Sequence, residues 1–272
     1  YADKINAVSP NYASELLTHL GAHGMASVFQ QRAADLRGIL NGCDYQDWDP
    51  AFDPLLPATY DADNLDGKHT CKRILQQETG LPVGNLPIYG MVCRLTEQKG
   101  VHLLIPALDK FLQHQVQVVI VGSGDPSLAA QLQSIAQQHP DKFAFINAYD
   151  DRLAHLVEAG ADFFLMPSLF EPCGLNQMYS LAYGTLPLVR AVGGLKDTVV
   201  DWDADPTHAT GFCFNDPTAS TLLDAMRRSL LHYLQEPARF ARVQHHAMNT
   251  RFDWADSVIL YEQMYQDALA TV

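Results

Sequence analysis

An α/β fold built on a doubly wound parallel sheet is predicted by this sequence on three grounds. Short apolar, β-rich runs recur along it: LPIYGMVCR, VQVVIVGSG, KFAFINAY, ADFFLMPS and LPLVRAVGG. The first four are each followed by a helical pattern, namely GVHLLIPALDKFLQH, PSLAAQLQSIAQQH, DRLAHLVEAG and GLNQMYSLAYG. At 272 residues and 47% hydrophobic, the chain can also bury one large core or two smaller ones. A strand that is apolar without alternation is buried on both faces, and a helix after it carries the chain back across the sheet. The pattern is that of a Rossmann-like sheet covered by helices on both sides. Ligands of such sheets bind in the crevice outside the carboxyl ends of the strands, so the residues just after each strand carry the functional weight.

Two segments flank these units. Before them, residues 14–38 (SELLTHLGAHGMASVFQQRAADLRG) read as partly helical and run into ILNGCDYQDWDP, a turn-rich connection. After them, TLLDAMRRSLLHYL and PARFARVQHHAMN read as helices. DWADSVILYEQMYQDALA reads as a final amphipathic helix, with Asp253 placed to cap it and Trp254, Val258, Tyr261, Met264, Tyr265 and Leu269 available for burial. No partner for that apolar stripe is evident within the chain. The first residue is Tyr, and the opening YADKINAVSPNYASELLTHL looks like the middle of a fold, so a piece of a longer protein is expected.

Composition narrows the function classes. The chain carries 18 basic against 31 acidic residues, a formal charge of −13, which disfavours nonspecific nucleic-acid binding and means that any anionic ligand must meet a local basic pocket. No apolar run approaches the roughly 20 residues that span a bilayer, and the N-terminus shows no signal pattern, so no membrane association and a cytoplasmic address are expected. Cys43, Cys71, Cys93, Cys173 and Cys213 are odd in number and contain no CxxC pair; they read as reduced, mostly buried thiols rather than a disulfide framework or zinc site.

Taken in order, the strand ends offer these candidates. Arg94 and Lys99 in RLTEQKG are two cations five positions apart, with Gly100 leading into a helix. A guanidinium, an ammonium and free amides at a helix start suit a diphosphate, although an exposed loop with ordinary surface charges has the same appearance. Gly122 and Gly124 in VGSGD lack the third glycine of a dinucleotide fingerprint, and a tight turn explains them better. Gly193 and Gly194 fit either a turn or a close approach to ligand. Glu171 in FEPCGLNQ follows a strand ending in Pro167 and Ser168, so its carboxylate is expected to project into the crevice, beside the amides of Gly174, Leu175 and Asn176. Phosphates would repel it, so it should face a neutral part of the ligand such as sugar hydroxyls. The competing reading is an acid at a helix N-terminus, which the Pro-Cys-Gly turn makes less attractive. Asp201, Asp203 and Asp205 alternate like the start of a calcium loop but lack its glycine and terminal glutamate, and a solvated acidic loop is expected. His245 and His246 are adjacent in a helix and point apart, so no shared metal is assigned to them.

Together, VSPNYASELL, LNGCDYQDWDP, GMVCRLTEQKG, the block from Gly160 to Val199 and ATGFCF resemble the C-terminal half of the bacterial glycogen synthase and plant starch synthase family, retaining glucosyltransferases with two Rossmann-like domains. The resemblance runs over nearly the whole chain in the same order. It implies that Arg94 and Lys99 hold the distal phosphates of a nucleotide sugar and stabilise the departing diphosphate. It implies that Glu171 contacts the donor glucose hydroxyls, that Gly174, Leu175 and Asn176 supply amides over the phosphates, and that Tyr149 lies against the adenine. Ser168 and Cys173 are expected to line the same pocket. In many relatives a second glutamate follows the first with seven residues between; here that position is Tyr179, as in the glycogen and starch synthase branch, which by likeness favours ADP-glucose.

The resemblance further implies that residues 1–38 are the end of an N-terminal domain, 39–252 a nucleotide-sugar-binding domain, and 253–272 a helix crossing back to the first. That N-terminal domain carries a Lys-Thr-Gly-Gly-Leu loop and a catalytic histidine in the family, and neither motif is found here, so a donor-binding half inactive alone is expected. Neither cofactor nor metal is expected, because two fixed cations can stabilise the leaving group. The implied partners are ADP-glucose or ADP, an α-1,4-glucan acceptor and the N-terminal domain. A noncatalytic nucleotide-sugar-binding module and half of a UDP-sugar-dependent transferase stand as alternatives.

Overall fold

The computed structural model describes residues 2–270; Tyr1, Thr271 and Val272, the outer positions of the expected segments 1–38 and 253–272, lie outside the described residues. The chain opens with β1 (Ile5–Ala7), α1 (Pro10–Glu15), α2 (Ala26–Gln31) and β2 (Leu36–Gly38), the two strands pairing as a small parallel sheet. A connection anchored by α3 (Asp66–Glu78) leads to β3 (Ile88–Val92) and α4 (Val101–Phe111). There follow β4 (Gln117–Val121), α5 (Pro126–Gln138), β5 (Phe143–Ile146), α6 (Asp151–Gly160), β6 (Phe163–Met166) and α7 (Asn176–Ala182). The chain then forms β7 (Leu186–Arg190), α8 (Gly193–Thr198), β8 (Phe212–Phe214), α9 (Ala219–Gln235), α10 (Pro237–Asn249) and α11 (Trp254–Leu269).

The predicted doubly wound sheet is present. Six strands lie in the order β5-β4-β3-β6-β7-β8, every neighbouring pair parallel. Side chains alternate across it: Tyr89, Met91, Val118, Ile120, Phe163 and Leu165 enter a core shared with α4, α5, α9 and α10. Ile88, Val119, Val121, Phe164 and Met166 enter the opposite core, under α3, α6, α7 and α8. Burial on both faces is why these strands read as continuous apolar runs. From β3 the chain winds outward to β4 and β5, then returns to β6 and winds the other way, so the switch point lies between β3 and β6.

A polar layer is buried within the second core. Lys68 Nζ and Tyr60 Oη both donate to the carbonyls of Ala159 and Tyr183. Tyr183 Oη donates to Asp53 Oδ2 at 2.6 Å, and His155 Nδ1 lies 2.8 Å from the same oxygen. Trp48 stacks on His155 and Tyr179. The turn-rich connection is thus fastened to α6 and α7 by satisfied polar groups, without which burying them would cost about 1–3 kcal/mol each.

Other elements differ from expectation. Residues 14–38 break into two short helices and a strand, with backbone at positive φ at His23 and Gly24 between them. Helix α3, strand β8 and helix α8 were not anticipated: α3 is largely polar, β8 is only three residues long, and α8 begins on the Gly193–Gly194 pair read as a turn or ligand approach. Asp253 occupies the N-cap of α11, yet its side chain makes no capping hydrogen bond. Of the α11 stripe only Met264 is buried, while Trp254, Val258, Tyr265 and Leu269 stay exposed, together with Ile259 and Leu260. The helix meets the opening segment through Asn6 Nδ2 donating to Tyr261 Oη at 2.9 Å and an Arg37–Asp267 ion pair.

All five cysteines are free; Cys43, Cys71 and Cys173 are buried. Burial pushes the thiols of Cys43, Cys93 and Cys213 up to about 12. A thiol reagent near pH 8 is therefore expected to label few sites in the native chain and all five after denaturation. Because the folded state keeps these protons where the unfolded chain releases them, stability in denaturant titrations should decline as pH rises from the ordinary thiol value toward 12; prompt native labelling of every cysteine would contradict the packing.

Candidate functional site

Strands β3 and β6 pair only through Tyr89–Phe163 and Gly90–Phe164. Beyond those pairs a crevice of about 180 Å³ opens, floored by Met91, Val92, Leu165 and Met166 and rimmed by Arg94, Lys99, Ser168 and Asn176. It is the carboxyl-edge switch point, where the loop 93–100 turns one way and the loop 167–175 the other.

The two loops are laced together. Gly100 caps α4 at φ +70°, and a Cβ there would lie 1.9 Å from the Pro167 carbonyl oxygen, so no side chain fits. Leu169 N donates to Gln98 O at 2.7 Å, and Gln98 Nε2 donates to Phe170 O at 3.2 Å. Lys99 Nζ meets Glu171 Oε2 at 2.6 Å, and Ser168 Oγ donates to the same oxygen at 3.0 Å. Glu171 is 6% exposed. Its own carbonyl accepts from Gly194 N at 3.0 Å, and a Cβ on Gly193 would lie 1.9 Å from it. The Gly-Gly pair therefore makes its close approach to the chain itself.

Beneath the loop, Arg190 at the end of β7 donates from Nε to Ser168 O at 2.8 Å, from Nη1 to Asn215 O at 3.2 Å and from Nη2 to Leu169 O. Burial holds its pKa below the ordinary arginine value, with the Glu15 charge opposing. Asn176 Nδ2 donates to Val92 O at 3.2 Å, tying the start of α7 to the end of β3. Neither Arg190 nor Gln98 was singled out from sequence, since each sits in a segment read as plain strand or loop.

The structure thus sets Arg94, Lys99, Ser168 and Asn176 around one crevice, with Glu171 buried against Lys99 and Ser168 at its rim. Arg94 is exposed and makes no ion pair among the described residues, which leaves it the uncommitted cation of the set. The backbone N–H groups of Gly174, Leu175 and Asn176 have no protein acceptor among the described residues. Cys173, expected to line the pocket, is buried in a cluster with Cys43 and Met178. Tyr149 stands 86% exposed after β5, on the same sheet edge but outside the crevice. Gly122 and Gly124 shape a turn that supports the Leu95 backbone, with Leu95 N donating to Ser123 O and Asp125 N to Leu95 O. Asp201 and Asp203 bind Arg228, and Asp205 binds His208. No group of three or more potential ligands could hold a metal among the described residues.

Comparison with known proteins fits this geometry. The sequence profile described as "Glycosyl transferases group 1" matches residues 73–243. Glycogen synthase of Aeromonas hydrophila subsp. hydrophila is 87% identical over 99% of this chain and 56% of its own length, and that of Photobacterium profundum is 60% identical over 97% and 53%. The matched part is the C-terminal one. The catalytic domain of starch synthase IV from Arabidopsis thaliana, bound to ADP and acarbose, superimposes with a TM-score of 0.93 at 35% identity, over 98% of this chain and 56% of that one. The chain spans about half the length of the relatives it matches. On sequence and fold alike, it belongs to the group 1 glycosyltransferases.

Proposed function

We propose that this chain is the donor-binding half of a cytoplasmic, ADP-glucose-dependent glucosyltransferase that extends an α-1,4-glucan with retention once joined to an N-terminal half. The observation that supports the reading is that Arg94 and Lys99 line one crevice at the switch point, with Glu171 in contact with Lys99 at 2.6 Å.

In this reading the diphosphate enters over Arg94, Lys99 and the open amides of Gly174–Asn176. Lys99 then exchanges its carboxylate partner for a phosphate oxygen, and Glu171, still held by Ser168, accepts from hexose hydroxyls. During transfer the bond between glucose C1 and the β-phosphate oxygen breaks, a bond from C1 to the acceptor 4-oxygen forms on the same face, and the acceptor proton passes to the departing phosphate. Charge grows on that phosphate, where preorganised cations are worth most. Glu171 is not assigned as nucleophile. Tyr149 stacks on the adenine. The exposed stripe of α11, with Ile259, Leu260 and Leu269, is covered by the N-terminal half. ADP in the starch synthase neighbour supports the choice of nucleotide.

Calorimetric titration with ADP-glucose should give saturable binding that Arg94→Ala and Lys99→Ala weaken, and UDP-glucose should bind less tightly. Adding a separately made N-terminal half should restore glucan-dependent ADP release, and in that reconstituted enzyme either alanine should lower kcat by roughly 10²–10³; ADP release from the chain alone would refute the split of labour. Glu171→Gln removes the charge that competes for Lys99, so ADP itself should bind several-fold tighter while the preference for ADP-glucose over ADP shrinks. Tyr149→Ala should weaken ADP by ~1–3 kcal/mol, the scale of base stacking, with Tm unchanged because the ring is exposed. Undiminished ADP affinity would remove Tyr149 from the site.

A further inference from the structure

At the opposite edge of the sheet, where the strands begin, a cavity of about 660 Å³ opens between α3, the turn before β3 and the junction of α9 with α10. Its basic wall is one face of α3, on which His69, Lys72, Arg73 and Gln76 follow the i, i+3, i+4, i+7 spacing. Lys68, Lys72 and Arg73 line it against one carboxylate, Asp162, a local charge of +3 − 1 = +2 in a chain of net −13.

One oxygen of that carboxylate is engaged twice, while Oδ1 meets only the Tyr233 hydroxyl, at 3.5 Å, among the described residues. Asp162 Oδ2 accepts from Lys72 Nζ at 2.6 Å and from Ile88 N at 2.8 Å. Lys68 is 5% exposed and donates to Ala159 O and Tyr183 O at 3.0 Å each and to Thr185 Oγ1 at 2.7 Å, so dipoles surround its charge and no carboxylate touches it. Glu158, a buried acid nearby, is pushed above the carboxylate range by its burial and binds the Ser180 hydroxyl at 2.7 Å rather than Lys68. Arg73 makes only a 3.5 Å contact with Gln77 Oε1, and the exposed His69 side chain has no ion pair among the described residues. A buried cation whose direct contacts are all dipoles, beneath two basic side chains without ion pairs among the described residues at the mouth of a cavity, is an arrangement that an anion completes.

We infer that this cavity is a second anion site, distinct from the donor crevice, which takes a small phosphate monoester. The monoester dianion matches the local charge of +2. Its oxygens reach His69, Lys72 and Arg73, while Asn85 and Gln244 offer amides to a hydroxylated body lying on Val83 and Phe240. The inference does not rest on the donor reading, since it uses no residue of that crevice.

The test is titration of the chain with inorganic phosphate and with glycerol 3-phosphate, followed by calorimetry and by backbone amide shifts. Saturable binding is expected in the native chain and in Arg94→Ala, with shifts centred on α3 and residues 83–85, and it should be about tenfold weaker in the double variant His69→Ala/Arg73→Ala. Both of those side chains are exposed, so the double variant should keep the native Tm. Absence of saturable binding, equal binding by the double variant, or loss of binding in Arg94→Ala would each overturn the assignment.

Discussion

The candidate site depends on two loops being locked to each other across the gap between β3 and β6. Parallel neighbours whose continuations wind in opposite directions leave a gap that no crossover covers. Here the gap is bridged by backbone: Gly100 lies against the Pro167 carbonyl, and Leu169 N donates to Gln98 O. The placement of Lys99 relative to Ser168 and Glu171 follows from those contacts. A Cβ at residue 100 would shift the Pro167 backbone and with it every group in the crevice. Fixing charged groups before a ligand arrives is what lets them act on developing charge without reorganising.

The loops in turn rest on a buried polar layer. Arg190 holds the carbonyls of Ser168 and Leu169 from beneath, and Asp53, His155 and Tyr183 tie the connection ahead of α3 to α6 and α7. Burial on its own would raise the Asp53 carboxyl, and hydrogen bonds from His155, Tyr183 and Leu55 N more than offset it, keeping the acid below its ordinary range. Replacing a buried pair by apolar residues often leaves stability unchanged, whereas removing one partner costs roughly 3–5 kcal/mol. Such a layer therefore contributes position more than net stability. It sets where α7 begins, and so where the amides of Gly174–Asn176 stand.

How much of this was legible in the sequence follows from which interactions are local. Strands β3 to β7 and helices α4 to α7 could be read because burial on both faces leaves an unbroken apolar record in each segment. Arg94, Lys99 and Glu171 could be singled out because they stand in the loops that follow β3 and β6. Helix α3 escaped because its mission is partly polar, with Lys68 and Gln76 among its buried residues. Arg190 escaped because its partners lie 21 and 22 positions earlier in the chain, beyond the reach of any periodicity. Where the Cys173 side chain packs, in a cluster with Cys43 and Met178, depends on contacts distant in sequence that the local motif does not record.

The acidic balance of the chain bears on how the crevice must work. A net charge of −13 opposes the approach of a diphosphate at long range. At physiological ionic strength, however, charges more than about 8 Å away are largely screened, so the encounter is governed by what lines the crevice itself. In the crevice lining Lys99 is already paired with Glu171, and Arg94 is the lining cation without an ion pair among the described residues. On the proposed reading, attraction and retention would be divided between two cations: Arg94, exposed and without an ion pair among the described residues, would meet the anion first, and Lys99 would be released to it only as Glu171 found neutral hydroxyls to bind. A diphosphate without a sugar would satisfy the first step and leave the second unfavourable, so on that reading the Lys99–Glu171 pair is the element that would discriminate a nucleotide sugar from the nucleotide alone.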